Sequence, residues 1–187
     1  MIVAIGGSAG SIDALRDVLA PLPATTGAKI AIVVHVSPSH PSLLAPVLSS
    51  YTRLPVVEAV DKLPASPGTI VVAPPDYHLL VERGGWFALS RDPAVHFSRP
   101  AIDHLFHSAA RSRDHLVGIL LSGGNDDGAA GLQKIQQVGG KVAVQDPATC
   151  ASREMPNAAL ARLTPDLVGS PAAIGHWLAT LTAEVVR

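Results

Sequence analysis

Short runs of apolar, mostly β-branched residues recur along the chain, and each run gives way to Gly, Pro, Ser or His. Runs without polar alternation are typical of strands that are buried on both faces of a parallel sheet. The predicted strands are Ile2–Ile5, Ile30–Val36, Val56–Val60, Thr69–Val72, Leu116–Leu121 and Lys141–Val144. We therefore expect a mostly parallel sheet that is covered by helices on both faces.

Apolar residues at helical spacing predict three of these helices. The first carries Ile12, Leu15, Val18 and Leu19. The second begins at Pro100, has Ile102, Leu105 and Phe106 on its buried face, and has Arg111 and Arg113 in its last turn. The third begins near Asp126, carries Leu132 and Ile135, and ends at Gly139-Gly140. The segments His78–Arg83 and Trp86–Arg91 flank Gly84-Gly85, which predicts a two-residue β-hairpin. The pattern as a whole predicts one doubly wound α/β domain over residues 1–187, with an antiparallel hairpin added.

Composition narrows the classes of function. The 187 residues include 14 Lys+Arg and 15 Asp+Glu, and this near-zero net charge argues against nucleic acid as the main ligand. Cys150 is the one cysteine, so it cannot form an internal disulfide, and no Cys/His spacing resembles a zinc site. The apolar N-terminus lacks the basic region of a signal peptide, and the apolar runs are far shorter than the ~20 residues that span a bilayer. A soluble protein of the cytoplasm is expected, without membrane insertion.

Candidate chemistry follows three of the predicted strands, at the sheet edge where ligands bind in open parallel sheets. Gly6-Gly7-Ser8-Ala9-Gly10 matches G-x-S-x-G, the pattern of a turn that exposes a nucleophilic serine. A serine between a strand and a helix is also a common helix cap, so the pattern alone leaves both roles open.

His35 ends the second strand, 27 residues after Ser8, a distance of about one β-α-β unit. Right-handed crossovers would bring the two residues to the same edge of adjacent or near-adjacent strands. Asp126-Asp127 follows the strand Leu116–Leu121, where an acid is either a helix-terminal residue or the acceptor that orients His35. Together the three places offer a nucleophile, a base and an orienting acid.

With these segments the chain resembles the catalytic domain of the chemotaxis receptor methylesterases, the CheB family. The resemblance covers nearly the whole chain and rests on blocks in one order: Ala4–Ser11, Val34–Pro38, Val72–His78, Ser98–Asp103, Leu105–Ser108, Leu121–Leu132, Gln145–Cys150 and Met155-Pro156. It implies a serine esterase that hydrolyses glutamate γ-methyl esters on the helices of chemoreceptors, releases methanol and in many members also deamidates glutamines.

Carried over by position, the resemblance makes Ser8 the nucleophile, His35 the general base and Asp127 the orienting acid. Asp126 falls at a variable position of the family. Arg99 becomes a candidate substrate contact in the cleft wall. The backbone N–H groups of Ala9 and Gly124 are our candidates for the oxyanion hole, and this mechanism needs no metal or organic cofactor.

The chain departs from the family pattern in three respects. Ala9 stands where the family usually has Thr, and Gly123-Gly124-Asn125 replaces Gly-Met-Gly. The family usually has an N-terminal receiver domain, whereas this sequence begins at the first strand. We expect a stand-alone form, a receiver domain on a separate chain, or a sequence that is one part of a longer protein. We also expect no response of this chain to a phosphodonor such as acetyl phosphate.

Three alternatives remain at this point. A degenerate, non-catalytic module could bind receptors or another partner through the same cleft. A nucleotide-binding domain could use the Gly6–Gly10 turn, although G-x-G-x-x-G and a P-loop lysine are missing from it. An ordinary α/β-hydrolase is disfavoured because its triad runs Ser, Asp, His along the chain.

Overall fold

A computed structural model describes residues 1–36, 42–112 and 115–184. Its main sheet has seven strands in the order β10-β9-β8-β1-β2-β5-β3, and all its pairings are parallel. The strands are β1 Ile2–Gly7, β2 Lys29–Val34, β3 Val56–Glu58, β5 Thr69–Val72, β8 Leu116–Leu120, β9 Lys141–Gln145 and β10 Leu167–Gly169. A small antiparallel sheet joins β4 Leu63–Pro64, β7 Trp86–Ser90 and β6 His78–Glu82.

Six helices cover the main sheet within the described ranges: α1 Ser11–Leu19, α2 Leu44–Ser49, α3 Ile102–Ala109, α4 Ala129–Gln137, α5 Glu154–Leu160 and α6 Pro171–Glu184. The buried side chains form two clusters, one on each face of the sheet. Helices α3, α4 and α5 contribute to one cluster together with the small sheet, while α1, α2 and α6 contribute to the other. The predicted α/β class, with helices on both faces of the parallel sheet, is confirmed.

All six predicted strands are present, with ends that differ by a few residues, whereas the short strands β4 and β10 were not predicted. The hairpin is confirmed, but its loop has three residues rather than two, because Glu82 pairs with Trp86. Gly85 closes this loop at φ 83°, as expected of a left-handed final residue in a three-residue hairpin loop.

Two details of the prediction for α3 are wrong, namely its start and its end. Pro100 lies before α3, which begins at Ile102, and Arg111 follows the end of that helix. Ile12 is 40% exposed, because the buried face of α1 is formed by Ala14, Leu15, Val18 and Leu19. Arg113, and the Ser37-Pro38 part of the second resemblance block, lie outside the described residues.

The strand order sets the position of the candidate site. From β1, the chain builds β2, β5 and β3 on one side and β8, β9 and β10 on the other, so the order reverses at β1. A ligand crevice forms at such a reversal, beyond the carboxyl ends of the strands. Ser8, His35 and the Ser122–Gly128 loop follow β1, β2 and β8, which are neighbours. No helix within the described residues has both the length and the apolar character needed to cross a bilayer.

Candidate active site

Ser8 lies in a tight turn between β1 and α1. Its N–H donates to the carbonyl of Ser122 (2.8 Å), and its own carbonyl accepts from the N–H and hydroxyl of Ser11 (3.0 and 2.7 Å). Gly10 adopts φ 79°, and a Cβ at this position would overlap Ala151. The turn therefore needs glycine here, and its hydrogen bonds hold a partly exposed Ser8 above the end of β1.

His35 stands beside this turn. The β1–β2 register ends with Gly7 opposite Val34, and the N–H of His35 donates to the carbonyl of Gly7 (3.2 Å). Extending the register by one residue brings His35 next to Ser8. The expectation that the two residues share one edge of adjacent strands is confirmed.

Asp127 is fully buried and its carboxylate accepts three hydrogen bonds. Oδ2 accepts from His35 Nε2 (2.8 Å) and from the N–H of Ile102 (2.7 Å), while Oδ1 accepts from the N–H of Asp103 (3.0 Å). Ile102 and Asp103 form the first turn of α3, whose cap residue Ala101 has no side-chain oxygen to offer. Asp127 thus serves two structures at once, because it caps α3 and holds the imidazole of His35.

These contacts decide the charge of Asp127. Burial acts to raise the pKa of this carboxyl group, but the hydrogen bonds from His35, Asp103 and Ile102 outweigh burial and leave the pKa below its ordinary value. The group is therefore an anion at neutral pH. Because the anion only accepts hydrogen bonds, it requires a proton on His35 Nε2. Nδ1 of a neutral His35 is then the unprotonated nitrogen.

Asp103 makes the reciprocal contact. Its Oδ1 accepts from the N–H of Gly131 (2.7 Å) in the first turn of α4, the helix that follows Asp127. Asp127, which precedes α4, therefore caps α3, and Asp103, which lies in α3, caps α4. Burial raises the pKa of Asp103 above its ordinary value, and the nearby charge of Asp127 acts in the same direction.

The two candidate oxyanion donors are not engaged in hydrogen bonds to other described residues. Among the described residues, the backbone N–H groups of Ala9 and Gly124 donate to no protein acceptor, whereas that of Gly123 is bonded to the carbonyl of Ser152 (3.0 Å). Asn125, a departure from the family pattern, accepts the N–H of Asp127 through its side-chain oxygen (3.1 Å). The changed loop therefore still fixes the backbone that leads to the acid.

Arg99 is engaged within the protein. Nε and Nη2 donate to Asp76 Oδ1 (3.0 and 2.6 Å), and Nη1 donates to the carbonyls of Arg91 and Asp92 (3.2 and 3.1 Å). Four of its five N–H groups thus have protein acceptors. Contact between Arg99 and substrate remains a prediction that would use the fifth N–H or displace Asp76.

Asp126 is separate from these buried contacts. Its side chain is exposed, and its carboxylate lies 3.3 Å from His96 Nε2 and 3.9 Å from Arg162 Nη2.

Cys150 donates to the carbonyl of Asp146 (3.4 Å), and burial raises the pKa of its thiol to about 11. This thiol is too weak an acid to supply a second nucleophile at neutral pH.

Two supporting side chains, those of Ser122 and Gln145, were not given a role by the sequence. Ser122 Oγ donates to the carbonyl of Ala9 (2.6 Å) and accepts from the N–H of Ser152 (2.9 Å), while Gln145 Oε1 accepts the N–H of Ser122 (2.9 Å). Ser122 and Gln145 are both buried. Their signal in the sequence is a polar residue at the carboxyl end of an apolar strand.

His78 is a third supporting side chain, and the sequence left its role open. It is fully buried, its Nδ1 accepts the N–H of Ala101 (3.1 Å), and its Nε2 faces the carbonyls of Asp92 and Pro93 (both 3.2 Å). Its ring stacks on that of His104 with centroids 3.8 Å apart. Within the described part of the chain, no three His, Cys, Asp or Glu side chains are grouped to hold a metal ion.

Comparison with known proteins gives the family. A family model described as CheB methylesterase matches residues 3–178. A Leptospira interrogans protein is 40% identical over 167 residues, which are 89% of this chain and 86% of that protein. A Pseudomonas aeruginosa protein is 42% identical over 164 residues, 85% of this chain but 46% of its own length. The names of both relatives combine protein-glutamate methylesterase with protein-glutamine glutaminase.

A solved structure agrees with these matches. The crystal structure of the Thermotoga maritima CheB methylesterase catalytic domain superposes with a TM-score of 0.89 at 32% identity, and the match covers 96% of this chain and 97% of that one. The family model, the relatives and the shared fold lead to one conclusion: the chain belongs to the CheB methylesterase family.

Proposed function

We propose that this protein hydrolyses the γ-methyl esters of glutamate residues on chemoreceptors and deamidates glutamine residues at equivalent positions. The family and the names of the relatives support the reaction. The observation that carries the mechanism is the 2.8 Å contact between His35 and Asp127 at the sheet edge beside Ser8. It joins the proposed base to the proposed orienting acid beside the residue whose hydroxyl they would activate.

In the first step, Ser8 Oγ attacks the ester carbonyl carbon while Nδ1 of His35 takes the hydroxyl proton. A tetrahedral intermediate forms and carries its negative charge on the former carbonyl oxygen. The N–H groups of Ala9 and Gly124 are the proposed donors to this oxyanion, and preorganised donors of this kind are worth several kcal/mol of transition-state stabilisation. Collapse of the intermediate expels methoxide, which takes the proton from His35 and leaves as methanol.

In the second step, water attacks the acyl group on Ser8. His35 removes one proton from the water and passes it to Ser8 Oγ, which restores the enzyme. The glutamate carboxyl group that is released loses the remaining proton to solvent. With glutamine as substrate, ammonia leaves in place of methanol and the same acyl group is hydrolysed.

Asp127 supports both steps without giving up its charge. The anion fixes the His35 tautomer with Nδ1 free, and it stabilises the imidazolium that forms each time His35 accepts a proton. Its two backbone hydrogen bonds to α3 keep it in place during these changes. Because the pKa of Asp127 is lowered in the fold, the carboxyl group is deprotonated near neutral pH and can accept the hydrogen bond from His35.

The proposal extends to the setting of the enzyme. Residues 1–187 would form one catalytic domain that acts on the cytoplasmic helices of receptors, and a receiver domain on a separate chain is a proposed regulatory partner. A non-catalytic binding module of the same fold is the competing function. Because both functions predict binding, only turnover separates them.

The test is methanol release from a methylated receptor fragment by the wild-type chain and by Ser8→Ala. We expect release by the wild type and loss of nearly all activity in the variant, with the unfolding transition unchanged. No release by the wild-type chain would favour the binding module, whereas a Ser8→Ala variant that retains more than a few per cent of kcat would exclude Ser8 as the nucleophile.

A further inference from the structure

The segment Val95–Ser98 forms a tight two-residue turn. The N–H of Val95 donates to the carbonyl of Ser98 (3.1 Å), and the N–H of Ser98 donates to that of Val95 (2.8 Å). The two central residues, His96 and Phe97, both have positive φ, at 48° and 62°. This is the backbone of a type I′ turn, which normally selects Asn-Gly or a similar pair.

Neither local conformation nor burial explains Phe97. A bulky residue at positive φ is a genuine outlier, and such a backbone is strained. The phenyl ring is fully exposed, so that it returns no hydrophobic stabilisation to the fold. A strained backbone that exposes a large apolar ring is typical of a ring that serves a contact with another molecule.

The base of this turn is held firmly. Arg99 donates to the carbonyls of Arg91 and Asp92, and the ring of His78 faces the carbonyls of Asp92 and Pro93. A buried histidine and an arginine that is ion-paired to Asp76 therefore fix the segment that enters the turn. The turn is a supported projection, and a contact through Phe97 would cost little ordering entropy.

The tip of the projection is joined to the candidate active site. His96 Nε2 lies 3.3 Å from Asp126 Oδ1, and Asp126 directly precedes the buried Asp127 that holds His35. Phe97 is therefore the chain neighbour of a residue that contacts the loop carrying Asp127, so its exposed ring lies near the candidate active site. A methyl ester occupies only the immediate surroundings of the Ser8 hydroxyl, so a ring that is near the site but outside it would contact the parts of a substrate that are remote from the ester.

We propose that Phe97 is a specificity residue that packs against apolar side chains of the polypeptide that carries the ester, and so favours protein substrates over small esters. The proposal rests on the proposed function, since it takes the receptor polypeptide as the occupant. An aromatic side chain is well suited to this contact, because it offers a large rigid surface at low entropic cost. Since Phe97 is remote from the reacting atoms, it should act on KM rather than on kcat.

The experiment compares two substrates, a methyl-esterified helical fragment of a chemoreceptor and p-nitrophenyl acetate. In Phe97→Ala, the ratio of kcat/KM for the fragment to kcat/KM for the small ester should fall about tenfold, which equals ~1.4 kcal/mol of binding. The double variant His96→Asn/Phe97→Gly removes the ring while it supplies the preferred pair for this turn, and it should show the same fall with an intact fold. Trp86→Ala is the aromatic control: Trp86 is exposed at the start of β7, at the end of that strand away from the Val95–Ser98 turn, and its ratio should stay at the wild-type value.

Binding of the fragment is measured in parallel with the Ser8→Ala chain, with and without Phe97→Ala. Binding that weakens about tenfold supports the proposal even if no methanol is released, so failure of the proposed function is recognised separately. The proposal is overturned if the fragment binds equally well without the ring or does not bind at all. A Phe97→Ala change that alters only self-association, detected by sedimentation, would assign the ring to a second copy of the chain and would also overturn it.

Discussion

Replacement of Asp127 by asparagine tests the two structural roles of this acid in one residue. The carboxylate accepts from His35, Ile102 and Asp103, whereas an amide has one acceptor oxygen and one donating nitrogen. If the amide oxygen takes the Oδ2 position, the NH₂ group faces the N–H of Asp103. If it takes the Oδ1 position, the NH₂ group faces the N–H of Ile102 and the ring of His35. Either arrangement leaves at least one buried donor without an acceptor.

The expected losses follow from these contacts. An unsatisfied buried donor costs about 1–3 kcal/mol, so the free energy of unfolding should fall by this amount. A comparable Asp→Asn change in serine protease triads lowers kcat by about 10⁴, or ~5.5 kcal/mol of barrier, and we expect a loss of this order for Asp127→Asn. Because the folded-state pKa of Asp127 is depressed, its ionisation contributes stability above the ordinary aspartate pKa of about 3.9, and this contribution is lost as pH falls through the folded-state value. The stability gap between wild type and variant should therefore narrow in acid.

The assay pairs p-nitrophenyl acetate hydrolysis with urea unfolding at pH 7 and at pH 3, for Asp127→Asn and for the neighbouring Asp126→Asn. Asp126 is exposed and does not contact His35, so its variant should be at least a hundredfold more active than Asp127→Asn. The reasoning is refuted if folded Asp127→Asn keeps more than a tenth of wild-type kcat, or if Asp126→Asn is the more damaging change.

Three further predictions concern neighbouring residues. Gly124→Met should fold normally, because Gly124 is not in the left-handed region and a Cβ there would meet only a side-chain oxygen at 3.5 Å; we expect narrower selectivity among small esters or faster receptor demethylation, and lower activity at unchanged Tm would contradict this. Burial lowers the pKa of His78, so the free energy of unfolding should fall as pH drops from about 6.5 toward the lower pKa of the folded state. In urea unfolding between pH 7 and 5, this fall should be smaller for His78→Asn, which keeps an acceptor for the N–H of Ala101. Equal falls in wild type and variant would show that His78 is not the group responsible. Burial raises the pKa of Asp103, so the folded state keeps this proton to higher pH than the unfolded state, and the free energy of unfolding falls as pH rises above about 3.9. Asp103→Asn, which can still accept from the N–H of Gly131, should be more stable than wild type at pH 7, and the difference in free energy of unfolding should shrink toward pH 4. A difference that is independent of pH would contradict the account.

The sequence predicted those parts of the fold in which burial determines the residue types. A strand covered on both faces must be apolar throughout, so runs such as Ile30–Val36 and Leu116–Leu121 located the parallel sheet. Parallel strands joined by right-handed crossovers bring their carboxyl ends to one edge, which made the proximity of Ser8 and His35 predictable from their separation along the chain. The same rule placed the Asp126-Asp127 pair at this edge, whereas the choice of Asp127 as the partner of His35 came from the family resemblance.

Other features depend on contacts between side chains that are distant in sequence, and periodicity does not encode these. The capping of α3 by Asp127 and the hydrogen bonds of Arg99 to Asp76 and to two carbonyls are of this kind. The positive φ of Phe97 runs against the ordinary preference of a bulky residue, and the His96-Phe97 pair contains no Gly, Asn or Asp that would mark such a turn. Ile12 fits the apolar helical pattern and is nonetheless 40% exposed, because the buried stripe of α1 passes beside it.

The central claim is that Ser8 forms a covalent acyl-enzyme with the help of His35. It is tested most directly by mass spectrometry of the chain after brief incubation with p-nitrophenyl acetate and acid quenching. The account predicts an added acetyl group on the peptide that contains Ser8, absent from Ser8→Ala and accumulating more slowly in His35→Ala. Hydrolysis of the ester by the wild-type chain with no acyl group on Ser8, or an unchanged rate in Ser8→Ala, would contradict it.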